Sequence, residues 1–278
     1  MLVLRPQFPL AGLLGVAGLA RSTFYYQCKA LAAPDKHARL KQQIADVFAL
    51  HKERYGYRRV TLAIQATGWR IDPKTVQRRM VEMGLKSPVR KKVYNSFKGE
   101  IGLTAPNHLN RQFEAAGVNQ KWVTDVTEFK VPGGKVYLSP IMDLCSGEII
   151  THTMDTRPSL AMVTTMLRNA LAELPEGEQP MLHSDQGWQY RMPVFQELLT
   201  QRGLQQSMSR KGNCYDNASI ESFFAVLKTE YFHLQTFTGT DDLKAGVDEY
   251  IRYYNTQRIK TRLGGLTPVA YRNQLSMT

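Results

Sequence analysis

Three carboxylates stand out by type and setting. Asp125 lies in the strand-like run Lys121-Trp122-Val123-Thr124-Asp125-Val126-Thr127-Glu128-Phe129. Asp185 sits where the short apolar segment Met181-Leu182-His183-Ser184 gives way to the loop Gln186-Gly187-Trp188. Glu221 falls in Asp216-Asn217-Ala218-Ser219-Ile220-Glu221-Ser222-Phe223-Phe224, which reads as an amphipathic helix. Carboxylate oxygens are hard ligands suited to divalent cations. Three of them brought together could hold two such cations, and a metal pair drives in-line displacement at phosphorus by activating the attacking oxygen and stabilising the leaving one. Lys228 follows Glu221 by nearly two helical turns and so shares its face. A cation there could hold a phosphate beside the metals.

The elements that must position these residues begin at Lys121. Trp122 to Lys130 reads as one strand, Gly133-Gly134 as a turn, and Lys135 to Asp143 as a second strand. Ser146-Gly147 makes another turn before a third strand, Glu148 to Asp155. Ser159 is placed to cap a helix with Leu160, Val163, Leu167, Leu171 and Leu174 on one face. Met181 to Ser184 is a short strand, Pro193 to Arg202 a helix, and Leu204 to Met208 a strand. The helix of Glu221 buries Ile220, Phe223, Phe224, Leu227 and Tyr231, leaving Glu221 at the rim, about 100° from Ile220. Asp241 to Tyr254 forms a further helix. The order βββαβαβα predicts an α/β domain, a mixed sheet with flanking helices.

The joint pattern W-x-x-D-x-T, H-S-D-x-G-x-x-Y and D-N-A-x-x-E-S-F-F, with Lys seven after the Glu, resembles the DDE catalytic core of the retroviral-integrase superfamily. In particular it is similar to the second-frame product of bacterial insertion-sequence transposases whose element has two overlapping reading frames. The likeness runs from about Arg21 to the C-terminus. Tyr254-Asn255-Thr256-Gln257-Arg258 and Leu263-Gly264-Gly265-Leu266-Thr267-Pro268 resemble the family's C-terminal signature. The resemblance implies a ribonuclease-H-like core, with Asp125, Asp185 and Glu221 as the catalytic and metal-binding residues. It implies two Mg²⁺ ions, with Mn²⁺ as a substitute. It implies cleavage at transposon ends and strand transfer of the 3′-hydroxyl to target DNA by a homo-oligomer on DNA in the bacterial cytoplasm. It also implies an upstream-frame partner, joined by a frameshift, that supplies a coiled coil. This chain begins with Met1 and shows no sustained heptads of its own. Two positions depart from the usual pattern: Val118-Asn119 replaces Pro-Asn, and Lys260 stands near the tail Arg where many relatives have His. Two other readings stay open, a structure-specific metal-dependent nuclease that cuts without joining, and a DNA-binding regulator with a vestigial core.

The charge points the same way. The net charge is +12 over 278 residues, and residues 1–117 carry 20 Lys/Arg against 7 Asp/Glu. A basic front half joined to a near-neutral back half suggests a polyanion-binding region attached to something else. Residues 1–34 read either as a second helix-turn-helix-like unit or as a small helical packing element, with helices at Leu10 to Ala17 and after Ser22, a candidate cap. Residues 35–85 read as a helix-turn-helix-like unit. Leu40, Ile44, Val47, Phe48 and His51 share one face of its first helix, Tyr55-Gly56-Tyr57 starts the second, and Asp72-Pro73 caps the third, which stops at Gly84. That third helix turns Lys74, Gln77, Arg78 and Arg79 away from its buried face, side chains suited to guanine and adenine edges in a major groove. Residues 86–117 read as a basic linker whose Arg90, Lys91 and Lys92, with Tyr94 and Phe97, could track phosphates and stack on bases. Residues 118–278 form the catalytic core and its helical tail.

Several chemistries are excluded. Cys28, Cys145 and Cys214 are odd in number and widely spaced, which argues against a structural zinc site and for reduced thiols. No G-x-x-x-x-G-K-[ST] occurs, so no nucleotide cofactor is expected. Phe8 to Ala20 follows helix spacing behind a single Arg5, a buried helix rather than a targeting signal, and no run reaches membrane-spanning length. His183 is expected to be a packed strand-end residue.

Overall fold

The structure is a computed structural model, and it describes residues 1–89, 105–210 and 214–277, without the side chains of residues 214 and 215. Its centre is the long strand β3 (Gly134–Asp143). One edge of β3 is paired by β4 (Ile149–Asp155), antiparallel. The other edge is paired by β1 (Lys121–Thr124) and β2 (Thr127–Val131), also antiparallel. Trp122 faces Asp143, Thr124 faces Ile141 and Thr127 faces Leu138, so β1 and β2 lie end to end in one unbroken register. The single strand expected from Trp122 to Lys130 is therefore interrupted at Asp125-Val126. The cause is local: the Val126 N–H donates to Asp125 Oδ1 at 2.7 Å, so the side chain occupies an amide that a continuous ladder would use. Beyond β1 the sheet continues with β5 (Met181–Ser184) and β6 (Gln206–Met208), each parallel to its neighbour.

Period-two alternation divides the core between the two faces. Val123, Phe129, Val136 and Leu138 pack under α8 (Ala218–Glu230) and α9 (Thr240–Thr256). Trp122, Ile141 and Leu182 pack under α6 (Leu160–Glu173) and α7 (Pro193–Gln201). Ser159 caps α6 as its position predicts, accepting from the Met162 N–H at 3.1 Å. This is the mixed sheet with flanking helices predicted from the element order. Part of the stretch read as a linker also joins it: Leu109 is buried in the first of these cores, and the His108 and Leu109 amides donate to Ser207 Oγ.

The front of the chain is helical: α1 (Leu10–Ala17), α2 (Arg21–Ala32), α3 (Ala38–Leu50), α4 (Tyr57–Ala66) and α5 (Pro73–Glu82). Helix α2 starts at Arg21 with Ala20 before it and no side-chain cap, so Ser22 lies inside the first turn rather than capping it. Asp72 does cap α5, accepting from the Lys74 N–H at 2.8 Å with Pro73 in the first turn. Leu40, Ile44, Phe48, Val60, Ile64, Val76 and Met80 form the core of α3–α5, and Ile259 of the C-terminal tail packs against it. The tail closes with α10 (Pro268–Ser276), capped by Thr267.

Candidate active site

Asp125 and Asp185 each follow directly on a strand, β1 and β5. These strands are parallel neighbours with Val123 opposite His183. Continuing that register two residues sets Asp125 opposite Asp185 at the carboxyl ends of both strands, about 5 Å apart in backbone. Ligands of open α/β sheets bind at such ends. Burial pushes the Asp125 carboxyl well above the usual carboxylate range, and the charges of Asp185 and Glu221 push it further. Burial also raises Asp185, against the Gly187 N–H that donates to its Oδ1 at 2.8 Å and the charge of Arg191. A Cβ added at Gly187 would stand 2.8 Å from that same oxygen, so only glycine lets the loop fold this tightly over the acid.

Glu221 lies in the first turn of α8. The start of the helix is fixed from two sides. Asn217 is buried, and its Nδ2 donates to the Thr124 carbonyl at 3.1 Å, immediately before Asp125. Asp216 is buried beside it and accepts from Arg210, Arg111 and Asn107. The hydrogen bonds and charge of Arg210, with the hydrogen bond from Arg111, hold its carboxyl far below the usual range against the cost of burial. Thus a turn of helix ties Glu221 to the end of β1. Beneath the acids Tyr190 is enclosed, and its hydroxyl makes no hydrogen bond among the described residues that meets ordinary geometry. Burial, then the charges of Asp125 and Asp185, raise that phenol well above its ordinary value.

Among the described residues no three His, Cys, Asp or Glu side chains are drawn into a ready-made metal cluster. The chemistry of the donors nevertheless fits a hard divalent cation, because all three are carboxylates and the charges of Asp185 and Glu221 are both felt at Asp125. Asp185 and Glu221 make Asp125 costly to ionise, and a cation would relieve that cost.

Lys228 is half-buried, with Nζ donating to Thr127 Oγ1 at 2.8 Å and lying 5.2 Å from the centre of the Phe129 ring. It therefore reaches across to β2, close enough to Asp125 to lower that carboxyl. His183 is a packed strand residue, as expected. It is fully buried between the Ser207 and Ser209 hydroxyls, at 2.9 and 3.1 Å, and burial pushes it down to about 4. On α5, Lys74, Gln77 and Arg78 are exposed on one face. Arg79 turns the other way, half-buried against Glu82 at 2.7 Å. Arg90, Lys91 and Lys92 lie outside the described residues.

Sequence reasoning gave no role to Asp216, Asn217 or Glu230. The first two were legible only as part of the motif that contains Glu221. Glu230 is buried two residues after Lys228 and accepts from Arg258, Tyr250 and Arg59, joining α8, α9, the tail and α4.

The chain is similar to several known proteins. Integrase core domain families match residues 115–214 and 221–275, and an HTH-like domain family matches residues 35–93. The "Putative transposase InsK for insertion sequence element IS150" of Escherichia coli is 52% identical over 274 residues, covering 99% of this chain and 97% of its own length. The "Transposase InsF for insertion sequence IS3A" of the same organism is 32% identical over 274 residues, covering 96% and 95% respectively. Among solved structures, a catalytic core domain of HTLV-2 integrase covers 57% of this chain and 99% of its own, at 17% identity and a TM-score of 0.47. The chain belongs to the insertion-sequence transposases built on an integrase core domain.

Proposed function

We propose that the chain catalyses transposition of an insertion sequence by phosphoryl transfer at Asp125, Asp185 and Glu221. The observation that carries this reading is the register of β1 and β5, which brings Asp125 and Asp185 to adjacent strand ends beneath the first turn of α8. The three carboxylates would hold two Mg²⁺ ions, or Mn²⁺, which when bound supply Lewis-acid activation of the attacking oxygen and neutralise the leaving one. The chain's own groups orient them. Gly187 fixes Asp185 through its N–H, Asn217 ties the start of α8 to β1, and Lys228 stands ready to hold a phosphate once DNA displaces Thr127 from its amine. The substrate oxygens are a water at the transposon end and then the 3′-hydroxyl so released, which attacks target DNA.

DNA is engaged by the basic front half, with Lys74, Gln77 and Arg78 on the exposed face of α5 facing bases and Arg90, Lys91 and Lys92 tracking phosphates. The active species is a homo-oligomer on the terminal inverted repeats in the bacterial cytoplasm, with an upstream-frame fusion supplying the coiled coil. A strand-transfer assay on labelled end DNA tests the reading. Glu221→Gln keeps volume and removes one anionic ligand, so cleavage and joining should both collapse while DNA binding persists. Joining by that variant at near wild-type rate would remove Glu221 from the site. A wild-type chain that cuts and never joins would return the nuclease reading, and one that does neither would return the regulator.

A further inference from the structure

On the opposite side of α8 from Glu221 lies a cleft of about 870 Å³. Glu221 and Lys228 share one helical face, whereas Ser219, Ser222 and Val226 sit roughly 100–160° around the helix and form one wall of the cleft. The other wall is the C-terminal tail, which contributes Lys260 and Arg262. Both cations converge on Gly147 in the turn after β3. A Cβ there would collide with Lys260 Nζ and Arg262 Nη2, and its φ of +69° also requires glycine.

Neither cation has a carboxylate partner among the described residues. Lys260 Nζ donates to the Gly147 carbonyl at 3.0 Å and to Tyr254 Oη at 2.6 Å. Arg262 donates weakly to the Cys145 and Leu144 carbonyls, both at 3.4 Å. Burial holds the Tyr254 phenol up at about 12, so it stays neutral and offers no countercharge. Glu114 also lines the cleft and pairs with neither cation among the described residues; the other acids close by are occupied. Glu230 serves Arg258 and Arg59, Glu148 serves Arg272, and Asp143 accepts from Ser146 and Asn119. Burial, then the charges of Arg262, Arg258 and Arg59, push the Lys260 amine well below its ordinary range, and a phosphate beside it would favour the charged form.

We propose that this cleft is a second phosphate site for DNA, in which Lys260 and Arg262, facing the Ser219 and Ser222 hydroxyls, hold the backbone of a strand that reaches Asp125, Asp185 and Glu221. It rests on the reading of the chain as a DNA-transfer enzyme. Phosphate oxygens take their contacts from Arg, Lys and Ser side chains, and such contacts position DNA without reading its sequence. The two sites are separated by the thickness of α8, about 10 Å, which is roughly three nucleotides along one strand.

The test uses the full chain and fluorescence anisotropy of labelled duplex across a salt series. Two variants attack the cleft independently: Lys260→Gln/Arg262→Gln removes the cations, and Ser222→Glu sets a repelling charge on the exposed opposite wall. Each should lower the magnitude of the slope of log K against log salt by about 1 to 2. The reduction should be equal on end DNA and unrelated duplex, because phosphates carry no sequence. Slopes equal to wild type in both variants would overturn the cleft while leaving the transposase reading intact. A loss in the double variant alone would assign the effect to a loosened tail, and a loss confined to end DNA would assign it to base reading; either overturns the proposal. A wild-type chain with no salt-dependent DNA binding would sink the functional reading itself.

Discussion

Glu230→Ala is the substitution whose cost the structure prescribes most directly. The Glu230 side chain is 8% exposed and that of Arg258 is 5% exposed. Two nitrogens of Arg258 reach the two carboxylate oxygens at 2.8 and 2.7 Å, Tyr250 donates at 3.0 Å and Arg59 at 3.1 Å. Burial alone would raise the Glu230 carboxyl, yet the hydrogen bonds and charge of Arg258, with the charge of Arg59, leave it below the usual range. Removing the carboxylate strands Arg258 as a buried cation. Breaking a pair of this kind costs about 3–5 kcal/mol. For a chain of this size that lowers Tm by on the order of 10 °C. The Arg54 Nε bond to the Glu230 backbone carbonyl survives the change, so the loss belongs to the side chain. Urea melts of Glu230→Ala, Arg258→Ala and the double variant form the cycle, and the double should cost clearly less than the two singles added. Strict additivity, or a single-variant loss below about 1 kcal/mol, would refute the account of a mutually dependent buried pair. Because the hub joins α4 to the helix that carries Glu221, end cleavage should fail at the lowered melting temperature rather than at 25 °C.

Other perturbations separate the acids of the site by sign. Asp125→Asn should abolish cleavage yet raise Tm in metal-free buffer. The Asp125 carboxyl holds its proton more tightly when folded, so the wild type loses stability as pH rises from about 4 toward the folded value, and a variant less stable than wild type at neutral pH would contradict this. Asp216→Asn should behave oppositely. Its folded carboxyl is depressed, so its contribution is complete above about 4 and is lost as pH falls. Its arginine partners are half exposed, so the loss at pH 7 should be about 1–2 kcal/mol, shrinking in melts taken at acid pH. Gly187→Ala should displace the Asp185 carboxylate and lower cleavage on the order of 10²-fold, with Tm close to wild type; unchanged turnover would mean that the loop tolerates the Cβ. Lys228→Ala should lower cleavage at limiting end DNA while circular dichroism stays the same, and unchanged cleavage would leave Lys228 as the partner of Thr127 alone.

What could be read from the chain divides along the range of the interactions. Helix ends set by neighbouring residues were legible: Asp72-Pro73 opens α5, Ser159 opens α6, and Gly84 follows the end of α5 with φ +72°. Thr267-Pro268 carries the same signal for α10, although those residues also belong to a recognisable signature and were read only as that. Ser22 failed for the converse reason, since a capping residue type says nothing about where the turn begins. Alternation in β1–β3 gave the faces of the sheet but not its breaks. Trp122 and Val123 alternate correctly through a strand that nonetheless opens at Asp125, because the break depends on one carboxylate oxygen capturing one amide.

The site itself lies on the far side of that divide. Its three acids were identified by type and motif, while their meeting depends on β1 pairing with β5, nearly sixty residues later in the chain, in a register that places Val123 opposite His183. A shift of one residue would turn every side chain of β5 to the other face and separate the two aspartates. That register is held by buried groups without catalytic appearance. Leu182 sits in the core beneath α6, and His183 fills the space between two serine hydroxyls of β6 and the loop after it. The H-S preceding Asp185 therefore works as packing that aims the acid. By the same logic Asp216-Asn217 aims Glu221, since one side chain anchors the start of α8 to arginines and the other anchors it to β1. Residues adjacent to the acids in sequence thus bind them to elements that are distant in sequence, which is why spacing within each motif is tight while the gaps between motifs are free to be long.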